Sequence, residues 1–196
     1  TIQAMSSSLR VLYPSTKLED ISELGYPDIV EKTYRESLLA NQGLILLTGA
    51  TGSGKTTSQY AGINTIISEF GHTKNIRTVE DPVEYTVSGI KQTQVHAEAG
   101  ETFGKILQTF FRGNPDVILV GEINDSETAL TAVRAATSGH LVMSTLHTNN
   151  TIEVTRVMQH YGANYVDLGN ALQLVMNQEL ENGLCNTCKV PRPITT

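Results

Sequence analysis

The stretch Leu44-Ile45-Leu46-Leu47-Thr48-Gly49-Ala50-Thr51-Gly52-Ser53-Gly54-Lys55-Thr56 decides how the chain folds. Leu44 to Thr48 is a continuous apolar run bounded by Gly43 and Gly49, as expected of a strand buried on both faces in a parallel sheet. Gly49 to Thr56 fits G-x-x-x-x-G-K-[ST], placed between that strand and a helix. Small residues there let successive backbone N–H groups point inward around phosphates, and the following helix adds its partly positive N-terminus. Lys55 then reaches the β- and γ-phosphates, and the Thr56 hydroxyl coordinates Mg²⁺.

Upstream, Pro27 precedes a helix over Asp28 to Ala40, with Gly43 just past its end. Downstream, a helix runs from Thr56 to Phe70 and stops at Gly71, and Ile76 to Val79 is a second strand. Val83, Tyr85 and Val87 alternate up to Ser88-Gly89, and Ile90 to Val95 resumes, which predicts an antiparallel hairpin added to the sheet. A helix follows Thr102 to Arg112, Asp116 to Val120 is a third buried strand, and Asp125 or Ser126 caps a helix ending at Ser138. Leu141 to Thr145 is a fourth strand, and Thr151 opens a helix closed by Gly162. Strands alternating with helices predict an α/β fold with a mostly parallel twisted sheet.

The whole chain fits that frame. Its 196 residues allow one well-buried domain, and 39% hydrophobic with 17% charged residues excludes disorder as the main state. A net charge of −6 argues against direct nucleic-acid handling. No apolar run approaches the roughly 18 to 20 residues a membrane-spanning helix needs, and no signal peptide is recognisable at the start. With only Cys185 and Cys188 there is no disulfide framework, so a cytoplasmic protein is expected.

A phosphate site of this kind needs a carboxylate on a neighbouring strand. Asp116 begins the third strand and Glu122 follows its end; ligands sit at carboxyl ends in open α/β sheets, which selects Glu122 for Mg²⁺ or water. Asp116 is expected to cap or be solvated. The cluster Glu80-Asp81-Pro82-Val83-Glu84 follows the second strand in the same way, and carboxylates crowded there are costly unless a cation or a reacting water uses them. This adds Glu80 and Glu84 to the catalytic candidates. His140 and His147 bracket the fourth strand; His147, at the site end, either senses the γ-phosphate or packs. His72, His96 and His160 read as structural.

Four segments in this order resemble the secretion ATPase superfamily of type II secretion and type IV pilus assembly motors. They are the Walker A run Gly49 to Thr57, the Asp box Thr78 to Tyr85, the Walker B run Asp116 to Ile123 and the His box Ser138 to Asn149. The resemblance covers about residues 43 to 150, and Arg112-Gly-Asn-Pro-Asp116 fits it too. It implies a RecA-like P-loop ATPase core binding ATP and Mg²⁺ through Gly49, Thr51, Gly52, Ser53, Gly54, Lys55, Thr56 and Thr57. It further implies a homo-hexamer working peripherally at the cytoplasmic face of a bacterial inner membrane, on a platform or secretion-system protein. A nucleotide-gated assembly module with little hydrolysis and a DNA-transfer ATPase are the alternatives.

Three departures stand out. The family usually carries Arg where this chain has Asn124, which removes a fixed cation, and Gln178-Glu179-Leu180 replaces Gln-Arg-Leu with a reversed charge. Cys185 and Cys188 resemble the first half of a four-thiolate zinc site, but a closed Zn²⁺ site needs four ligands and no further Cys follows. Two free thiols are the other reading. Residues 1–20 are expected to be the remnant of an N-terminal domain with its linker, Arg10 included, and 21–196 the ATPase domain, cut at its C-terminal end. Arg134 and Arg156 are further candidates for contact with a neighbouring subunit.

Overall fold

A computed structural model describes residues 20–181, 187, 188 and 190. Asp20 opens it by capping a short 3₁₀ turn, Ile21–Leu24, and by pairing with Arg35 at 2.6 Å. The helices are α1 (Asp28–Leu38), α2 (Lys55–Phe70), α3 (Phe103–Phe110), α4 (Ser126–Thr137), α5 (Thr151–His160) and α6 (Tyr165–Ala171). The strands are β1 (Gly43–Thr48), β2 (Ile76–Glu80), β3 (Lys91–Gln94), β4 (Val117–Val120), β5 (Leu141–Leu146) and β6 (Leu172–Asn177).

The strands form one sheet in the order β3-β2-β4-β5-β1-β6, and every neighbouring pair is parallel. The unbroken apolar run of β1 follows from this. Leu44 and Leu46 face a core built with α3 to α6, while Ile45 and Leu47 face a second core built with α1 and α2. Both cores are closed to water, so apolar side chains are needed on both faces of the strand. Each contributes about 1.5–3 kcal/mol on burial. Because all six strands run the same way, the residues that leave their carboxyl ends converge on one edge.

The expected antiparallel hairpin is not formed. Val83 to Val87 is not a strand, and β3 lies parallel to β2, with Arg77 opposite Lys91 and Glu80 opposite Gln94. The alternation comes from packing: Tyr85 stacks on Tyr60 at 4.0 Å between centroids, and Val87 is buried. A side chain supplies the partners that a ladder would have given. The Gln92 carboxamide accepts from Val87 N–H at 2.8 Å and donates to the Tyr85 carbonyl at 3.1 Å, leaving the loop free to cross back.

Candidate functional site

The loop between β1 and α2 is shaped by glycines. Gly49 has φ +137° and Gly54, which caps α2, has φ +86°, a region that side-chain-bearing residues rarely adopt. A Cβ on Gly49 would lie 2.7 Å from Ser53 Oγ. That hydroxyl is buried without a hydrogen-bond partner, an orphan polar group inside the glycine loop. Lys55 Nζ donates to the carbonyls of Gly49 and Ala50, both at 2.7 Å. Burial draws its ammonium below the ordinary lysine value, and the Glu122 carboxylate opposes that shift.

An open cleft of about 410 Å³ spans the loop and the neighbouring strand ends. It brings together Thr51, Gly52, Gly54, Lys55, Thr56, Thr57, Glu80, Glu84, Glu122 and His147 of the residues selected from sequence. Gly49 and Ser53 shape the loop from behind it. Glu122 leaves the end of β4 and is placed by the strands on either side, β2 and β5: Gly121 N–H donates to Val79 O at 2.8 Å, and Thr145 Oγ1 donates to Gly121 O at 2.9 Å. Its Oε1 accepts from Asn124 Nδ2 at 2.9 Å, and its Oε2 lies 3.4 Å from His147 Nε2.

Glu80 is held differently. It is buried, with Oε2 accepting from the Tyr60 hydroxyl and Oε1 accepting from Thr78 Oγ1 and from Gln92 Nε2 at 3.2 Å. Glu84 is exposed on the same wall. Asp116 sits at the opposite end of β4, accepting from Asn75 N–H at 2.7 Å, and His140 at the far end of β5 lies against the Ala135 carbonyl. Arg134 and Arg156 are exposed and do not line the cleft.

The chemistry of these groups fits a nucleotide with Mg²⁺: a glycine loop with an orphan hydroxyl, one ammonium, and Thr56 and Glu122 lining the same cleft. Mg²⁺ sites of this class use one or two protein ligands and take the rest from phosphates and water. Among the described residues no group of three or more His, Cys, Asp or Glu is arranged to hold a metal ion alone. Cys188 is exposed and free, whereas Cys185 and Arg10 lie outside the described residues.

The family described as Type II/IV secretion system protein matches residues 1–195. The chain belongs to that family. It is 44% identical over 183 residues to the type IV pilus assembly ATPase PilB of Acinetobacter baylyi, covering 93% of this chain and 31% of that protein. Against the type II secretion system protein E of Aeromonas hydrophila it is 43% identical over 187 residues, covering 95% of this chain and 37% of the relative. The chain thus spans about a third of the length of these members of the type II/IV secretion family. The crystal structure of the pilus retraction motor PilT with bound ADP superposes with a TM-score of 0.70 at 36% identity, covering 84% of this chain and 49% of PilT. The parallel sheet and this likeness identify a RecA-like P-loop core.

Sequence reasoning stopped at Gly162 and missed α6 and β6. The signal was present in Asn164, which caps α6 by accepting from Asp167 N–H, and in the apolar Leu172, Leu174, Val175 and Met176. It also missed that Gln178 and Leu180 reach the β1–α2 loop.

Proposed function

We infer that this chain is the ATP-hydrolysing core of a motor subunit that uses Mg²⁺ to power type IV pilus assembly or type II protein secretion as part of a homo-hexameric ring. The observation that carries this reading is the convergence, in one cleft, of the glycine loop with Lys55 and of Glu122 at the end of β4. The family relation and the names of PilB and protein E support the direction. The load would be an inner-membrane platform or secretion-system protein, with the chain peripheral at the cytoplasmic face. No described helix is long and apolar enough to cross a membrane.

In this reading the N–H groups of Thr51 to Thr57 and the Lys55 ammonium bind the phosphates, with Lys55 exchanging the Gly49 and Ala50 carbonyls for phosphate oxygens. Thr56 and Glu122 hold Mg²⁺, which when bound draws charge from the phosphate oxygens. Glu122, with Asn124 and His147 on its two oxygens, orients the attacking water, and His147 registers the γ-phosphate through that contact. Glu84 adds a free carboxylate from the opposite wall. Glu80 joins the reacting groups only by giving up the Tyr60 or Thr78 hydroxyl, so in this state it holds the acidic wall in place.

The test is ATP turnover with Mg²⁺ by the full-length protein beside Lys55→Ala and Glu122→Gln, with oligomeric mass measured in the same buffer. A hexamer that turns over, with both variants silent, is expected. Wild type that binds ATP through Lys55 without turnover overturns the motor reading and favours a nucleotide-gated assembly module. Asn124 is the observation behind that second reading, because it occupies Glu122 Oε1 with a neutral amide. If it is correct, Asn124→Arg raises turnover.

A further inference from the structure

Gln178, the first residue after β6, is tied to three separate parts of the chain. Its N–H donates to Thr48 O at 3.0 Å, extending the β1–β6 ladder by one step toward the glycine loop. Its Nε2 donates to the Ser53 carbonyl at 2.7 Å, and its Oε1 accepts from the Tyr26 hydroxyl at 3.1 Å. That hydroxyl lies 2.7 Å from Ser58 Oγ, which in turn donates to the Gly54 carbonyl at 3.2 Å. With Tyr26 donating to Gln178, the single Ser58 hydroxyl proton is shared between Tyr26 and the Gly54 carbonyl, so Gln178 holds the Ser53 carbonyl outright and Ser58 links the Gly54 carbonyl to the same group of side chains.

The two glycines that bound the loop are also the places where Gln178 approaches it. A Cβ on Gly49 would come within 2.3 Å of Gln178 O, and a Cβ on Gly54 within 3.2 Å of Gln178 Nε2. Glycine therefore serves two ends here: it lets the loop curl, and it leaves room for Gln178 to press on its back. In a trans peptide the C=O and the following N–H point in opposite directions. Anchoring the Ser53 carbonyl onto Gln178 consequently turns the Gly54 N–H away from Gln178, toward the concave side of the loop. An amide dipole fixed before a ligand arrives costs no ordering when it binds.

We propose that Gln178 is a positioning residue of the nucleotide site, bolting the Ser53–Gly54 peptide in the phosphate-binding orientation and linking it to Tyr26 and the end of β6. This rests on the nucleotide reading of the cleft and deepens it. Phosphate affinity then depends on two segments, before α1 and after β6, that contribute no phosphate ligand. Leu180, two residues on, lines the cleft mouth, so a displacement of the chain after β6 is felt by the loop.

The experiment is a titration of a fluorescent ATP analogue with Mg²⁺ into full-length wild type, Lys55→Ala, Gln178→Ala, Gln178→Glu and Tyr26→Phe, with steady-state turnover and the melting temperature without nucleotide. Gln178→Glu keeps the size and the acceptor for Tyr26 but removes the donor to Ser53. Both Gln178 variants are expected to weaken nucleotide binding about tenfold and to raise KM while kcat at saturation stays within twofold. Tyr26→Phe is expected to weaken binding about threefold. Wild-type affinity in Gln178→Glu, or a collapse of kcat with KM unchanged, overturns the proposal while loss of binding in Lys55→Ala leaves the nucleotide site standing. Absence of binding by wild type sinks the nucleotide reading itself. If neither Gln178 variant folds, an unshifted Tyr26→Phe overturns the proposal and a weakened one supports it.

Discussion

The ends of β2 and β4 each deliver a glutamate to the same cleft, yet the fold treats the two carboxylates in opposite ways. At the end of β2, Glu80 is buried under the stacked Tyr60 and Tyr85 rings and accepts from three side chains. At the end of β4, Glu122 is part-exposed and touched by one neutral amide and one imidazole. A buried carboxylate whose lone pairs are already taken is a structural element, since any new ligand has to displace a hydrogen bond worth about 1.5–3 kcal/mol. A part-exposed carboxylate exchanges water for metal at far smaller cost. Of two similar Glu residues at strand ends, one is fixed and the other is free to respond.

The strongest way to break this contrast is to neutralise each carboxylate in the full-length protein. Glu122→Gln should lower turnover by about 10²-fold or more with ATP affinity and melting temperature near wild type, as steady-state kinetics and calorimetry would reveal. Glu80→Ala should instead cost about 3 kcal/mol of unfolding free energy in urea titrations, because it strands the Tyr60, Thr78 and Gln92 donors. Equal stability losses at the two sites would erase the distinction. A smaller effect belongs to Asn124→Ala, which frees Glu122 Oε1 and should reduce kcat by about fivefold without moving stability.

The mildest test uses pH. Burial, with the Glu80 carboxylate adding to it, pushes the Tyr85 phenol up to about 12, so the folded state keeps it protonated where the unfolded chain does not. The stability this gives is fully present below the unfolded value of about 10 and is lost as pH rises from there toward 12. Burial pushes Tyr26, Tyr34 and Tyr60 up as well, so Tyr85→Phe should make that alkaline limb shallower without removing it in thermal melts, while Glu122→Gln should leave it unchanged.

Much of this was legible in the linear chain. The Leu44 to Thr48 run fixed a two-sided buried strand, because no other element needs apolar residues at every position over so short a length. The Gly49 to Thr56 spacing fixed the phosphate-type loop. Asp125 and Thr102 marked their helix starts by side-chain caps that depend only on residues nearby. Glu122 was separable from Asp116 because strand direction alone puts one at the carboxyl end and the other at the opposite end.

What the sequence could not supply were relations between distant residues. Val83, Tyr85 and Val87 alternate like a strand, but their backbone partners come from the Gln92 side chain, and pairing direction is decided by where the loop packs. Glu80 and Glu84 look equivalent in Glu-Asp-Pro-Val-Glu; only the positions of Tyr60, Thr78 and Gln92 commit the first and leave the second exposed. Gln178 lies 125 residues from Ser53 and 152 from Tyr26. Local propensity and periodicity report forces that act within a few residues, whereas burial and hydrogen-bond satisfaction are settled only once the sheet has brought the far ends of the chain together.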